Sequence, residues 1–358
     1  MVQFYPLKVT EVRRETRESV VLSLEPAPED REAFTFIPGQ YLTFRKALEG
    51  EELRRSYSLC SDRRQGCLQV GVKKVPGGLF STWANDEAAA GAVIEAMVPM
   101  GSFHAPLDES RTRHHLFFAA GSGITPILSL IKTTLAEEPL SRVTLVYGNR
   151  ASSSIMFRED LEDLKSLHLK RFNLLHVLSR ESQDIDLFNG RIDAEKCRDL
   201  FRHWIDPTSV DLAFICGPQS MMTAVSEALQ EAGLAPNQIK FELFAAAQQG
   251  RSGRPKEAGE AAAQAKTCTA SVQLDGLTRS FEMEKGKTTI LDAAMAEGLD
   301  VPYACKGGVC STCRALLVEG EVDMDANFAL EDYEVRRGYI LTCQSYPATD
   351  KVVVDYDQ

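Results

Sequence analysis

Cys305-x4-Cys310-x2-Cys313, followed by Cys343 after 29 intervening residues, constrains the fold of this chain more than any other feature. It is the ligand spacing of a plant-type [2Fe–2S] cluster. Four thiolates have to reach two irons, so the backbone must wrap closely and turn N–H groups toward the sulfurs. Gly307 and Gly308 inside the loop allow that approach because they lack a Cβ, and Ser311 and Thr312 are small enough to fit between the last two ligands of the loop. The alternative is a structural zinc site. Zinc ribbons present two C-x2-C pairs, and only one such pair is found here.

A 358-residue chain exceeds one compact core, so two or three domains are expected. No run of 18 or more apolar residues occurs, and Met1-Val2-Gln3-Phe4-Tyr5-Pro6 lacks the charged and apolar regions of a signal peptide. A soluble, cytoplasmic protein is therefore expected, away from membranes. In a reducing compartment, clustered cysteines read as metal ligands. Of the scattered Cys60, Cys67, Cys197, Cys216 and Cys268, four read as packing or surface residues and Cys216 as the exception. The net charge of −11 argues against nucleic-acid binding. Residues 266–358 hold 16 Asp and Glu against 9 Lys and Arg, a net of −7 that leaves −4 for the rest. This acidic terminal module is either a solvated surface or a docking face.

Up to about residue 109, short apolar runs such as Ser19–Leu24 and Gln40–Phe44 alternate with Gly, Pro and charged breaks, the pattern of an antiparallel barrel. Over 110–245, strand-like runs at 115–120, 143–147, 172–178, 211–216 and 239–244 alternate with helical stretches at 126–137, 156–167 and 218–231. That rhythm predicts a doubly wound parallel sheet. The Ala-, Gly- and Gln-rich stretch 246–265 reads as a linker. A third module occupies 266–358, with a strand at Ala270–Leu274 and a helix at Thr289–Glu297.

Arg54-Arg55-Ser56-Tyr57-Ser58 carries R-x-Y-S at the end of a barrel strand. A flavin needs an aromatic plane, a cation for its phosphates and a hydrogen bond near N5; Tyr57, Arg55 and Ser58 can supply them in turn. Gly77-Gly78-Leu79-Phe80-Ser81 opens a helix whose N-terminal amides and Ser81 hydroxyl suit a pyrophosphate. A plain surface strand and a plain N-capped helix are the competing readings. Gly121-Ser122-Gly123-Ile124-Thr125-Pro126 joins a strand to a helix, and Cys216-Gly217-Pro218 repeats that geometry. Both turns fall at the carboxyl ends of parallel strands, where dinucleotides bind.

R-x-Y-S, G-x-G-x-x-P, C-G-P and the cysteine loop, in this order, resemble the ferredoxin–NADP reductase superfamily with a fused C-terminal ferredoxin. The segments Gly50–Arg55, Ala119–Pro126, Tyr147-Gly148-Asn149-Arg150, Asn189–Asp193 and Pro302–Cys310 are similar to the family of phenylacetyl-CoA epoxidase reductase components. The resemblance implies a multidomain α/β and β fold: a flavin-binding antiparallel β-barrel, an NADP-binding doubly wound sheet and a β-grasp ferredoxin domain. It implies electron transfer from NADPH through FAD and the [2Fe–2S] cluster, held by Cys305, Cys310, Cys313 and Cys343, to a di-iron oxygenase of phenylacetate breakdown. Arg55, Tyr57 and Ser58 then contact the flavin, and Gly78 and Ser81 its pyrophosphate. Gly121, Thr125 and Pro126 form the dinucleotide turn, with Gly217 and Pro218 opposite. Cys216 lies by the nicotinamide, and Glu242 and Phe244 lie beside the flavin. Ser58, Cys216 and Glu242 are the expected catalytic residues. Ser179 and Arg180, with Arg150, are expected on the 2′-phosphate of NADPH. Another oxygenase partner, an FMN and NADH variant, and a non-catalytic redox sensor or carrier remain open alternatives.

Overall fold

The computed structural model describes residues 3–244 and 267–358, so the stretch expected as a linker lies outside the described residues. They divide into two compact units. One comprises Tyr5–Leu53 with Tyr57–Phe244; the other comprises the remaining described residues, chiefly 267–358.

The first unit, with residues 54–56 of β4 counted to the other, begins with six strands, β1 (Tyr5–Thr16), β2 (Ser19–Pro26), β3 (Tyr41–Leu48), β4 (Glu51–Ser58), β5 (Leu68–Lys73) and β6 (Val93–Ala96), with helix α1 (Leu79–Asp86) between the last two. Their order is β4-β3-β6-β1-β2-β5, and the Leu59–Val70 bridge joins the two ends, closing the sheet as a barrel. Inward positions such as Leu7, Val9, Leu22, Leu42, Phe44 and Val70 are completely buried and form its core. Alternation in these strands works because successive side chains face opposite sides.

The same unit continues through β7 (His114–Ala120), α2 (Ile124–Glu137), β8 (Arg142–Asn149), α3 (Arg158–Leu167), β9 (Phe172–Leu178), α4 (Ala194–His203), β10 (Leu212–Gly217), α5 (Gln219–Glu231) and β11 (Ile239–Leu243). The five strands are parallel in the order β11-β10-β7-β8-β9. Helix α4 is an element the periodicity did not indicate. The Asp193 side chain accepts the Lys196 amide as its N-cap, and Cys197 and Leu200 are its buried face. Phe117, Leu145, Phe214 and Ile131 are buried in the core that α2 covers. All five strands end at one edge of the sheet, where the turns before α2 and α5 lie.

The second unit holds β12 (Thr267–Leu274), β13 (Leu277–Glu284), α6 (Ile290–Ala296), β14 (Arg314–Glu319), β15 (Val322–Met324), α7 (Asp332–Arg336), β16 (Tyr339–Leu341), β17 (Ser345–Pro347) and β18 (Lys351–Asp355). A mixed sheet in the order β13-β12-β18-β14-β16 grasps α6, whose Ile290, Leu291 and Ala294 are buried in its core. Strands β15 and β17 pair separately. Among the described residues no helix is long and apolar enough to cross a membrane.

Candidate functional site

The turn from β7 into α2 forms the floor of the site. Gly121 adopts φ +55°, and a Cβ on Gly123 would lie 2.2 Å from the Cys216 carbonyl oxygen, so only glycine lets this turn close against the end of β10. Thr125 and Pro126 are buried in the first turn of α2. The Thr125 hydroxyl donates to the Ser122 carbonyl (3.1 Å), so both residues shape the turn from behind. Tyr147, fully buried on β8, donates its hydroxyl to the Gly121 carbonyl (3.0 Å).

Around this turn opens a cavity of about 570 Å³. Of the residues expected from sequence it gathers Gly121, Arg150, Ser179, Gly217, Pro218 and Phe244. It adds Lys73 from the end of β5, Asn149 from the end of β8 and Arg191 from the loop before α4, which sequence reasoning did not single out. Lys73 Nζ approaches to 3.9 Å of the position a Cβ on Gly121 would take. Burial lowers the Lys73 pKa, the Glu18 carboxylate opposes that shift, and the nearby Arg150 adds to it. Among the described residues Lys73, Arg150 and Arg191 form no ion pair. A cavity with three cations and a helix N-terminus on its floor suits a polyanionic ligand. Arg180 is exposed and outside the cavity lining, although its amide donates to the Arg150 carbonyl (2.8 Å).

At the β10–β11 side, Cys216 and Glu242 are neighbours in register. Cys216 is completely buried and packs into the core instead of lining the cavity. Burial, with the charge of Glu242, pushes its thiol well above 9. Glu242 is half-buried by surface, but its carboxyl is enclosed; burial raises it to about 8, against a lowering hydrogen bond from Ser58. The buried Ser58 hydroxyl donates to Glu242 Oε2 at 3.1 Å. This pair can hold a proton at neutral pH.

Ser58 ends β4, which also carries Arg55 and Tyr57. The Tyr57 ring stacks on Phe80 of α1 (5.3 Å between centroids, 29° between planes) and stays partly uncovered. Arg55 Nη1 donates to the Arg54 carbonyl (2.7 Å), leaving other guanidinium donors. The Ser81 hydroxyl is buried; it accepts the Val75 amide (3.1 Å) and donates to the Gly78 carbonyl (3.0 Å). It therefore builds the turn at Gly78, and the first-turn amides of α1 are the donors left for an anion. An aromatic face, a buried hydroxyl and a helix N-terminus are a donor set that fits a flavin nucleotide.

In the second unit the four cysteine sulfurs converge. Cys305 and Cys310 Sγ lie 3.1 Å apart, and Cys343 is within hydrogen-bonding reach of both Cys305 and Cys313. The Gly307 amide donates to Cys305 Sγ (3.3 Å). Gly308 takes φ +73°, and a Cβ there would meet the Ala326 carbonyl oxygen at 2.7 Å. Thr342, whose hydroxyl donates to the Cys313 carbonyl (2.9 Å) and accepts from Tyr356 (2.7 Å), ties the segment before Cys343 to the loop. Four thiols with amide donors among them fit an iron–sulfur cluster.

Three domain families match the chain in order. They are the oxidoreductase FAD-binding domain over residues 6–105, the oxidoreductase NAD-binding domain over 117–227 and the 2Fe-2S iron-sulfur cluster binding domain over 272–348. The last spans all four cysteines and sets the zinc alternative aside. A component of the 1,2-phenylacetyl-CoA epoxidase of Escherichia coli is 42% identical, over 100% of this chain and 99% of the relative. The 3-ketosteroid-9-alpha-monooxygenase ferredoxin reductase component of Mycobacterium tuberculosis is 34% identical over 98% and 96%. Among solved structures, phthalate dioxygenase reductase shares the fold, with a TM-score of 0.59 at 24% identity and 98% of both chains covered.

Proposed function

Because the chain belongs to the family of FAD- and [2Fe–2S]-containing oxygenase reductases, we propose that it draws electrons from NADPH and delivers them to a di-iron oxygenase that epoxidises phenylacetyl-CoA. The observation that carries the chemistry is the cavity at the carboxyl edge of the parallel sheet, lined by Phe244, Lys73, Arg150 and Arg191. The choice of oxygenase is supported by the full-length relationship to the phenylacetyl-CoA epoxidase component.

When bound, a flavin takes the two electrons of a hydride together and releases them singly, as a [2Fe–2S] cluster requires. The chain supplies position and electrostatics. Tyr57 offers the aromatic face, while Arg55 and the first turn of α1, with Gly78 and Ser81 shaping it, hold the phosphates. The Gly121 turn, backed by Thr125 and Pro126, cradles the pyrophosphate of the nicotinamide dinucleotide, with Gly217 and Pro218 on the other wall. Ser58 and Glu242 keep a proton beside the reacting ring; Phe244 covers the place the nicotinamide enters, and Cys216 supports that wall from the core. No proton is abstracted from carbon, so Glu242 acts through its charge state and hydrogen bond.

Arg150, with Ser179 and Arg180 on the adjoining loop and with Arg191, selects NADPH over NADH through its 2′-phosphate. A charge-assisted hydrogen bond contributes about 1.5–3 kcal/mol, so removing one should cut the NADPH preference by roughly 10- to 100-fold. The acidic terminal module faces the oxygenase, which makes partner-dependent turnover fall with salt.

The test is reconstitution with a purified phenylacetyl-CoA-epoxidising oxygenase. NADPH consumption that requires both the oxygenase and phenylacetyl-CoA supports the reading. Rapid reduction of an artificial acceptor without such coupling would refute the partner, and no NADPH oxidation at all would refute the reductase.

A further inference from the structure

The barrel and the parallel sheet approach each other closely at Gly71 of β5. Gly71 is buried and its φ is not positive, so the conformational freedom of glycine is unused there. What the missing side chain provides is close approach. A Cβ at this position would lie 2.8 Å from the Thr125 Cγ2 methyl and 3.0 Å from Cζ of Phe157. Neither neighbour yields easily. Thr125 is buried, and its hydroxyl holds the Ser122 carbonyl (3.1 Å), which fixes the rotamer of a β-branched side chain. Phe157, the N-cap of α3, is buried, and its φ of +57° is a left-handed conformation that a bulky residue takes only under constraint. The barrel supplies a constraint: Glu15 of β1 accepts the Phe157 amide (2.6 Å), and its other oxygen meets Arg13 (2.7 Å). A second buried bond crosses the same seam, from the Ser129 hydroxyl of α2 to the Ser61 carbonyl (2.7 Å). Val21 and Cys60 of the barrel share one core with Ile124 and Phe157.

We infer that Gly71 is a positioning residue for hydride transfer: its missing Cβ seats β5 directly on Thr125 and Phe157, and this contact, tied by Glu15, fixes the barrel against the dinucleotide turn. Residues two apart on a strand share a face. The face of β5 that meets Thr125 at Gly71 therefore also carries Lys73, whose Nζ reaches the Gly121 turn in the cavity. Thr125 has its methyl against Gly71 and its hydroxyl on the turn, so a push on Thr125 displaces the turn relative to the barrel. In the proposed function the barrel holds the flavin and the turn holds the dinucleotide. This role presupposes those two sites and adds what sets the spacing between them. The step moves one hydride, with its two electrons, from the reduced nicotinamide to the oxidised flavin; the nicotinamide leaves as NADP⁺ and the flavin is reduced. Its rate is steep in distance, because a misplacement of about 1 Å costs on the order of 10²-fold.

The experiment is anaerobic stopped-flow reduction of the flavin in the oxidised holoprotein by saturating NADPH, well below the melting temperature. The wild type is compared with G71A, T125S, G71A/T125S and E15A. NADP⁺ affinity, flavin content, melting temperature and the long-wavelength absorbance of stacked nicotinamide and flavin are recorded alongside. A small displacement at the seam should slow flavin reduction in G71A about three- to tenfold and weaken that absorbance, with NADP⁺ affinity within about twofold and flavin content unchanged. G71A/T125S should fall below T125S by less than G71A falls below the wild type, because the methyl that the new Cβ meets is gone. E15A adds no atom and loosens the seam from β1, so it should also slow reduction. A wild-type rate constant in folded G71A, or in E15A where G71A does not fold, would make the contact packing only and overturn the inference, whatever the melting temperature. A loss confined to NADP⁺ affinity, with the saturating rate intact, would overturn it as well. Equal losses with and without T125S would overturn the role of the Thr125 contact. Failure of NADPH to reduce the wild-type flavin would instead overturn the reductase reading on which the role rests.

Discussion

The two edges of the parallel sheet are built from the same strands and treat polar groups in opposite ways. At the amino edge, Glu138 is completely buried, and both of its oxygens are satisfied. His115 Nε2 (2.8 Å), the Ser141 hydroxyl (2.8 Å), the Asp108 amide (2.9 Å) and the Arg113 guanidinium all meet it. Arg171 adds bonds to the Glu138 and Ser141 carbonyls. Among the described residues the His115 Nδ1 atom is left without a partner there. At the carboxyl edge, Lys73, Arg150 and Arg191 make no ion pair among the described residues. A closed polar network holds a fold together, whereas an open one waits for a ligand. One sheet thus separates stability from binding by some seven residues of strand.

The comparison breaks most visibly at Glu138. Removing one partner from a buried charged network costs about 3–5 kcal/mol. E138A should therefore lower the melting temperature by roughly 6–20 °C while KM for NADPH stays within twofold. A normal melting temperature in differential scanning fluorimetry would show that the amino edge is not the structural one. The mirror experiment is R150A combined with R191A. Loss of two charge-assisted bonds should reduce kcat/KM for NADPH about 100-fold or more, with kcat/KM for NADH changed less and melting unchanged. Equal losses with both nucleotides would remove the 2′-phosphate from the account.

Acidity sharpens the contrast because the two carboxyls shift in opposite directions. Burial alone would raise Glu138, but its hydrogen bonds from His115, Arg113, Asp108 and Ser141 outweigh burial and hold it at about 2. Its contribution is present above the usual 4.5 and is lost as pH falls toward 2. Glu242 is raised to about 8 by burial, so it stays neutral at pH 7; ionising it destabilises the folded state as pH climbs from 4.5 through 8. Flavin reduction by NADPH should decline above pH 8 in the wild type, and E242Q should flatten that limb in stopped-flow measurements. An unchanged alkaline limb in E242Q would assign it to another group. The smallest effect is expected at Lys73, a single partly buried cation at the end of β5. K73M should raise KM for NADPH several-fold, about 1 kcal/mol or less, and unchanged KM would place it outside the ligand's reach.

The order of three modules, the strand–turn–helix glycine motif and the four cysteines were legible in sequence because each is local and chemically restrictive. Part of the cavity wall was not. Lys73 ends β5 of the barrel, Asn149 ends β8 of the parallel sheet and Arg191 lies in the loop before α4, so only the fold brings them together. Arg191 sits in Asn189-Gly190-Arg191, a polar turn that reads equally as a solvated loop. Ser81 shows a different limit: its spacing suits an anion site, but whether a hydroxyl meets a ligand or its own turn depends on the φ and ψ of Gly77 and Gly78. Glu138, at a helix end and followed by Pro139, looks like a surface charge until β7 supplies His115 and the chain before it supplies Arg113. Helix α4 escaped for a related reason: its buried face is only Cys197 and Leu200, too few apolar positions to set a period.

The central claim is that two-electron reduction at the nucleotide cavity ends as one-electron reduction at the four-cysteine loop. Anaerobic titration of the holoprotein with NADPH, followed by visible absorbance and electron paramagnetic resonance, tests it most directly. Flavin bleaching is expected together with a rhombic signal of a reduced [2Fe–2S] cluster, and C310S should lose that signal while retaining flavin bleaching. Flavin bleaching in the wild type with no such signal would contradict it, leaving a flavin reductase that does not feed an iron–sulfur cluster.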